Sequence, residues 1–326
     1  MNPLLRLLLL VATTAVAFGL LAALVAAVAY PAVRARLSRL PAAARARRIA
    51  FWAAAPWLVG GLLVALCFLP SVWSALGIAA DHCPLHDDGH VHLCLEHAPR
   101  GPVSVVEWLL LGAAATGAGI VFARVVTAQF ATWRSVAALL RTSGRTDGGL
   151  IPSSAPLSVT AGLFRPLVLV STGLRERLRP DVLAVVMEHE RAHARRRDPL
   201  RLVTAALLSA GHLPNTRRLL LSDLALACEQ AADDEAAMAV GDRVRVAEAI
   251  VTVERVLGSS HSGLAAAMGM DGASTVARVE ELLREPPTSG PLLLRGLLWS
   301  LAAVAAVLLA SDLHHLTETL LEALAR

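Results

Sequence analysis

The chain has 326 residues, of which 56% are hydrophobic, with a mean hydropathy of +0.59. Soluble globular chains run at about 45–50% apolar, so an ordinary soluble protein is excluded. The formal net charge is only +4 and every basic side chain is Arg, much of it beside apolar blocks; that pattern speaks of membrane topology and gives no expectation of direct nucleic-acid binding.

In chain order, the first apolar block covers residues 4–30, the second 50–76 and the third 103–126. About 20 consecutive apolar residues cross the hydrocarbon layer as a helix, so each block is predicted to span a bilayer, with a buried core helix as the alternative. The first block far exceeds the 7–15 apolar residues of a signal peptide and leads into an Arg-rich segment, so it reads as a retained span. Glu107 and Arg124 lie near the ends of the third block, where a charge reaches the interface.

The linker after the first span carries Arg34, Arg36, Arg39, Arg45, Arg47 and Arg48, whereas the loop at 77–102 carries Asp81, Asp87, Asp88 and Glu96 against Arg100 alone. Arginine-rich linkers stay in the cytoplasm. The N-terminus and the 77–102 loop are then outside a bacterial inner membrane. A membrane domain at 1–127 precedes a cytoplasmic domain at 128–290, and 291–326 hold a fourth span (about 292–309) and an outer tail. In that tail Leu313, Leu316, Leu320 and Leu324 recur at helical spacing, which predicts a short amphipathic helix on the outer surface. The expected fold class is thus a mainly α membrane protein with four transmembrane helices and an α+β domain between spans three and four.

Of the four cysteines, Cys67 and Cys228 fall in apolar or helical patterns and are expected to be buried free thiols. Cys83 and Cys94 share the outer loop with His86, His90, His92 and His97. Cys83-x-x-His86 and Cys94-x-x-His97 have chelating spacing, and thiolate with imidazole suits zinc or copper(I). The competing reading is a Cys83–Cys94 disulfide in an oxidising compartment, with the histidines merely exposed. On the first reading the loop is a sensor whose second metal biases the spans.

Within 128–290, Pro180 opens an apolar-periodic run that ends in His189-Glu190-Arg191-Ala192-His193. Helical spacing puts His189 and His193 one turn apart on one face, as two imidazoles must be to share a metal, with Glu190 alongside as the general base toward water. A catalytic zinc needs a third protein ligand and an open position. Glu229 and Asp233 lie four apart on a second helical run; Glu229 is the expected third ligand, and Asp233 the acceptor for the distal N–H of a ligand histidine. Alone, such an acidic pair reads as a solvated helix face; beside the His-Glu-x-x-His helix it reads as ligand. Asp198, after Arg195–Arg197, either pairs with one of those arginines or supports the site from behind. Two short β-like runs, 157–160 and 167–170, flank Gly162. They form either a plain structural hairpin or an edge to which an extended peptide adds by main-chain hydrogen bonds. His212 and His261 are candidates for oxyanion stabilisation only by being in the same domain.

Several runs resemble the antirepressor metallopeptidases of the BlaR/MecR type. They are Ala161-Gly162-Leu163-Phe164-Arg165-Pro166-Leu167-Val168-Leu169-Val170, the His-Glu-x-x-His with its Arg-Arg-Arg-Asp, the Glu229-x-x-x-Asp233 helix, Val246-Ala247-Glu248-Ala249-Ile250, and Ala277-Arg278-Val279-Glu280-Glu281-Leu282-Leu283. The resemblance covers about 157–285 and the order of the spans. It implies a gluzincin zinc-peptidase domain with His189, His193 and Glu229 as zinc ligands and Glu190 as catalytic acid/base. It also implies a cytoplasmic protein substrate, such as a transcriptional repressor, cut in response to an external signal. The sequence departs from the family after the last span: only residues 312–326 follow it, too few for the penicillin-binding sensor domain, so a different input is expected. The other readings are a membrane quality-control gluzincin protease and a non-proteolytic metal-sensing receptor.

Overall fold

The computed structural model describes residues 2–78, 93, 102–142, 149–258, 272–284 and 303–325. Cys83, His86, His90, His92, Cys94, His97 and His261 lie outside the described residues, as do 285–302 with most of the expected fourth span.

The described chain is mainly helical. Helix α1 (Pro3–Leu37) starts at Asn2, whose side chain accepts from the Leu4 N–H at 2.9 Å, with Pro3 in the first turn, where its missing N–H costs nothing. Thirty-five residues make a rod of about 52 Å, longer than the roughly 30 Å apolar layer. Arg34 and Arg36 in its last turn are favourably placed at the negative end of the helix dipole. Helix α2 (Ala42–Ala53) is short and amphipathic, and α3 (Ala55–Ala75) begins directly after it, with Pro56 in its first turn. The proline explains why the apolar block at 50–76 divides at Ala54. Helix α4 (Val105–Thr142) runs on well past Val126, the end of its apolar block. Among the described residues, α1, α3 and α4 are the helices long and apolar enough to cross a membrane.

Spans α1 and α3 meet through small residues. A Cβ on Gly60 would stand 2.9 Å from the Ala15 carbonyl oxygen and 3.3 Å from the Gly19 nitrogen, so only glycine permits this approach. At the end where α1 begins, Arg6 pairs with Glu107 of α4 at 2.7 Å, both buried.

The domain that follows opens with a three-stranded sheet in the order β1-β3-β2. Strand β1 (Leu150–Ile151) pairs parallel with β3 (Leu167–Ser171), and β2 (Ser158–Ala161) pairs antiparallel with β3 from Ser158↔Val170 to Ala161↔Leu167. Gly162 makes the hairpin turn at φ 103°, a value an L side chain resists. Then come α5 (Thr172–Arg177), α6 (Pro180–Arg196), α7 (Asp198–Leu208), α8 (Pro214–Val240), α9 (Arg243–Gly258) and α10 (Gly272–Leu283). Val182, Val185 and Val186 of α6 pack with Ala236 and Ala237 of α8, Val246 and Ile250 of α9, Leu282 of α10 and Val170 of β3. The alanines let α6 and α8 approach closely.

A second core joins this domain to the C-terminal end of α1: Tyr30 and Leu37 of α1 and Ala46, Ile49 and Ala53 of α2 meet Leu220, Leu224, Ala227 and Cys228 of α8. Arg34 grips Asp223 of α8 through two hydrogen bonds of 2.7 and 2.9 Å, Tyr30 donates to the same carboxylate at 3.0 Å, and Trp57 of α3 donates to the Leu208 carbonyl at 2.6 Å. The last helix, α11 (Ala310–Ala325), lies at the other end of the bundle, where Leu313 and Leu321 pack with Leu10, Cys67 and Leu93. Cys67 and Cys228 are buried free thiols.

Candidate metal centre

Helix α6 forms because Pro180 pre-sets the first turn and valines recur at helical spacing toward the core; it stops at Arg197, which takes a left-handed conformation (φ 52°) and opens α7 at once. That abrupt corner brings Asp198 back under the last turn of α6. Helix α8 crosses α6 and runs on to Gly241 (φ 79°), so Glu229 and Asp233 face the two histidines at mid-helix.

Nε2 of His189 and Nε2 of His193 are 3.1 Å apart. Glu229 places Oε2 3.4 Å from His189 Nε2 and Oε1 3.4 Å from His193 Nε2. A tetrahedral ion with bonds of about 2.0–2.1 Å holds its ligand atoms roughly 3.3 Å from one another. The three side chains stand close to that spacing, the two 3.4 Å contacts falling on different oxygens of Glu229, and can hold a metal ion. The Glu229 side chain keeps 37% of its exposure, so the trio meets solvent on that side, whereas Asp233 keeps 1%.

The far side of each imidazole faces a carboxylate. His193 Nδ1 bonds Asp198 Oδ2 at 2.9 Å, and His189 Nδ1 lies 2.8 Å from Asp233 Oδ1, an ion-pair contact whose N–H is not well aligned on the oxygen. These contacts turn both Nε2 atoms toward the common point. The carboxylates are themselves held. Asp198 accepts from Arg196 Nε at 3.1 Å and from Arg201, so the aspartate both pairs with arginine and backs the site. Arg278 of α10 forks onto Asp233 at 2.7 and 2.8 Å and reaches Glu229 Oε2 at 3.2 Å.

This field favours a cation at the centre. Burial opposes protonation of His193, but Asp198, Glu229 and Glu190 outweigh it and raise its pKa to about 10. His189 is raised as well, against its burial, mainly by Asp233. Partial burial works against ionisation of Glu229, but both histidines and Arg278 hold its carboxyl well below the usual carboxylate range.

Glu190 points to a different partner, strand β2. Its Oε1 accepts from Ser158 Oγ at 2.8 Å and its Oε2 from Thr160 Oγ1 at 2.6 Å, and the residue is 8% exposed. Among the described residues β2 pairs only with β3, so its other edge carries no strand. His212 is not brought to the site: it bonds the Trp52 carbonyl at 2.9 Å, and burial lowers its pKa. Sequence reasoning missed Arg278, Ser158 and Thr160. The arginine inside the 277–283 run was the one signal available, while two strand hydroxyls carry none.

No protein-family model, curated protein or solved structure matches this chain.

Proposed function

We propose that this protein is an integral membrane zinc endopeptidase of the bacterial inner membrane, with its catalytic domain on the cytoplasmic side between the third and a fourth span. The observation that carries the reading is the set of separations of 3.1, 3.4 and 3.4 Å among His189, His193 and Glu229, beside a carboxylate that does not join them. A purely structural site has no need of Glu190, and a closed one would use a fourth protein ligand.

Zinc bound there supplies a Lewis acid that polarises a carbonyl and acidifies water. The rest falls to the chain. Glu190 accepts the proton of the attacking water and returns it to the leaving amine. Ser158 and Thr160 hold both carboxylate oxygens, which fixes the direction of the base and ties it to β2. An extended substrate adding to the open edge of β2 then lies against the same element that orients the base. Asp198 and Asp233 keep the two imidazoles facing inward. The resemblance to BlaR/MecR-type antirepressors suggests a cytoplasmic repressor as the protein cut, with the outer His/Cys loop as the input.

The test is zinc content and cleavage of a denatured protein and of candidate repressors, wild type against Glu190→Gln. The variant is expected to keep its zinc and to lose cleavage by about 100- to 10,000-fold, the range for a positioned general base. A variant that cuts as well as wild type would remove Glu190 from the reaction.

A further inference from the structure

Five of the six arginines in the linker around α2 face solvent, and one does not. Arg34, Arg36, Arg39, Arg47 and Arg48 are exposed, while Arg45 is 9% exposed. Exposed arginines are sufficient to bias topology. A guanidinium taken out of water has to be met by acceptors, and those of Arg45 are specific. Its Nη2 donates to Gln230 Oε1 at 2.6 Å and to Glu281 Oε1 at 3.0 Å, and its Nη1 to the Ser38 carbonyl at 3.2 Å. One nitrogen thus bridges α8 and α10. Across the same seam Gln230 Nε2 donates to the Ala277 carbonyl at 2.9 Å. Gln230 follows the ligand Glu229, and Ala277 precedes Arg278, which grips Asp233 and Glu229.

We propose that Arg45 is a positioning residue of the metal site: by bridging Gln230 and Glu281 it sets how α10 sits on α8, and so presents Arg278 to Asp233 and Glu229. The inference rests on the metal site of the proposed function and is independent of the peptidase step. Helix α2 joins two membrane-spanning helices, and α10 precedes the residues expected to form the fourth, so both sides of the bridge are tied to the membrane part of the chain. The route from the linker to the ligand carboxylate runs through hydrogen bonds from Arg45 to Gln230 and Glu281 and from Gln230 to the Ala277 carbonyl, then along the chain to Arg278, which pairs with Glu229 at 3.2 Å.

The experiment measures zinc dissociation constants by chelator competition on the full chain in detergent, for wild type, Arg45→Gln, Arg278→Gln and the double variant. Arg47→Gln, on the exposed face of the same helix, controls for lost charge. Arg278→Gln is expected to weaken zinc binding by about 10–100-fold, as loss of an outer partner does, and Arg45→Gln by roughly 3–10-fold. Because Arg45 acts through Arg278, the double variant should bind no more weakly than Arg278→Gln alone, within about twofold. The cobalt(II)-loaded Arg45→Gln protein should show a ligand-field spectrum displaced in the direction seen for Arg278→Gln. Zinc affinity in Arg45→Gln equal to that of wild type, or losses that multiply in the double variant, would overturn the inference. Should Arg45→Gln fail to fold, Gln230→Ala, which leaves Arg45 paired with Glu281, carries the same expectation and the same refutation. A wild-type chain with no zinc affinity would overturn the metal reading and this inference together; normal wild-type binding with an unresponsive Arg45 overturns this inference alone.

Discussion

His314 and His193 are both buried beside a carboxylate, at opposite ends of the molecule. At the end bearing α11, His314 is 0% exposed, its Nδ1 donates to the Cys67 carbonyl at 2.7 Å, and its Nε2 lies 3.3 Å from Glu318 Oε1. Glu318 in turn accepts from the Leu93 N–H at 3.0 Å. One nitrogen of that ring faces a carbonyl of α3 and the other a carboxylate of its own helix, so both are spent on packing. At the metal centre each histidine uses only Nδ1 on its backing aspartate and turns Nε2 to a shared point, completed by the partly exposed Glu229. Burial next to an acid is common to both ends. Convergence of donors on one point is what makes one of them able to hold a metal, and among the described residues that trio alone has three donor atoms within 4.8 Å of one another.

Removing a donor should separate the two ends most sharply. His189→Ala and Glu229→Gln are expected to weaken zinc by more than the roughly 10–100-fold that follows loss of an outer partner. His314→Ala should leave zinc stoichiometry untouched and lower stability by about 1–3 kcal/mol, through the polar partners it strands. Metal analysis and thermal unfolding in detergent read the two effects, and equal zinc loss in His314→Ala would erase the distinction. Next in size, Asp198→Asn and Asp233→Asn should each cost about 10–100-fold in zinc affinity with the ligands intact; chelator competition that finds wild-type affinity would show that the backing carboxylates do not orient the rings.

A pH titration sharpens the same contrast. The His193 pKa is raised in the folded, metal-free protein to about 10, against about 6.5 when unfolded. Its contribution to stability is then complete below about pH 6.5 and is lost as pH rises through about 10. Zinc must displace that proton, so its affinity should climb over the same window. Urea unfolding of the chelated protein at pH 6, 8 and 10 checks the first statement; stability that rises with pH would refute it. The smallest expected effect lies between the two ends: Gly60→Ala should cost about 1–3 kcal/mol by forcing α1 and α3 apart, with zinc affinity unchanged, as melting and metal analysis would report.

What the sequence made legible was whatever lies within one helix or one apolar block. His189, Glu190 and His193 sit in a single periodic run, and Glu229 and Asp233 share one face four residues apart. Three of the apolar blocks became helices long enough to span. Their ends were less legible, because the apolar blocks stop at about residues 30 and 126 while α1 and α4 run on to Leu37 and Thr142. The residues that hold the site were hidden by chain distance. Thr160 reaches Glu190 across 30 positions, Arg278 reaches Asp233 across 45, and Arg45 reaches Gln230 across 185. In the sequence Arg45 looked like its five neighbours, since burial of one arginine among six follows from packing on α8 and not from local pattern.

The most direct test of the central claim is zinc-edge X-ray absorption on the purified chain loaded with one equivalent of zinc. The account predicts a first shell of nitrogen and oxygen only, at about 2.0–2.1 Å, with the outer scattering of two imidazoles, and loss of that signal in a His189→Ala/His193→Ala variant. Sulfur at about 2.3 Å, or a first shell indifferent to both histidines, would place the metal elsewhere in the chain and contradict it.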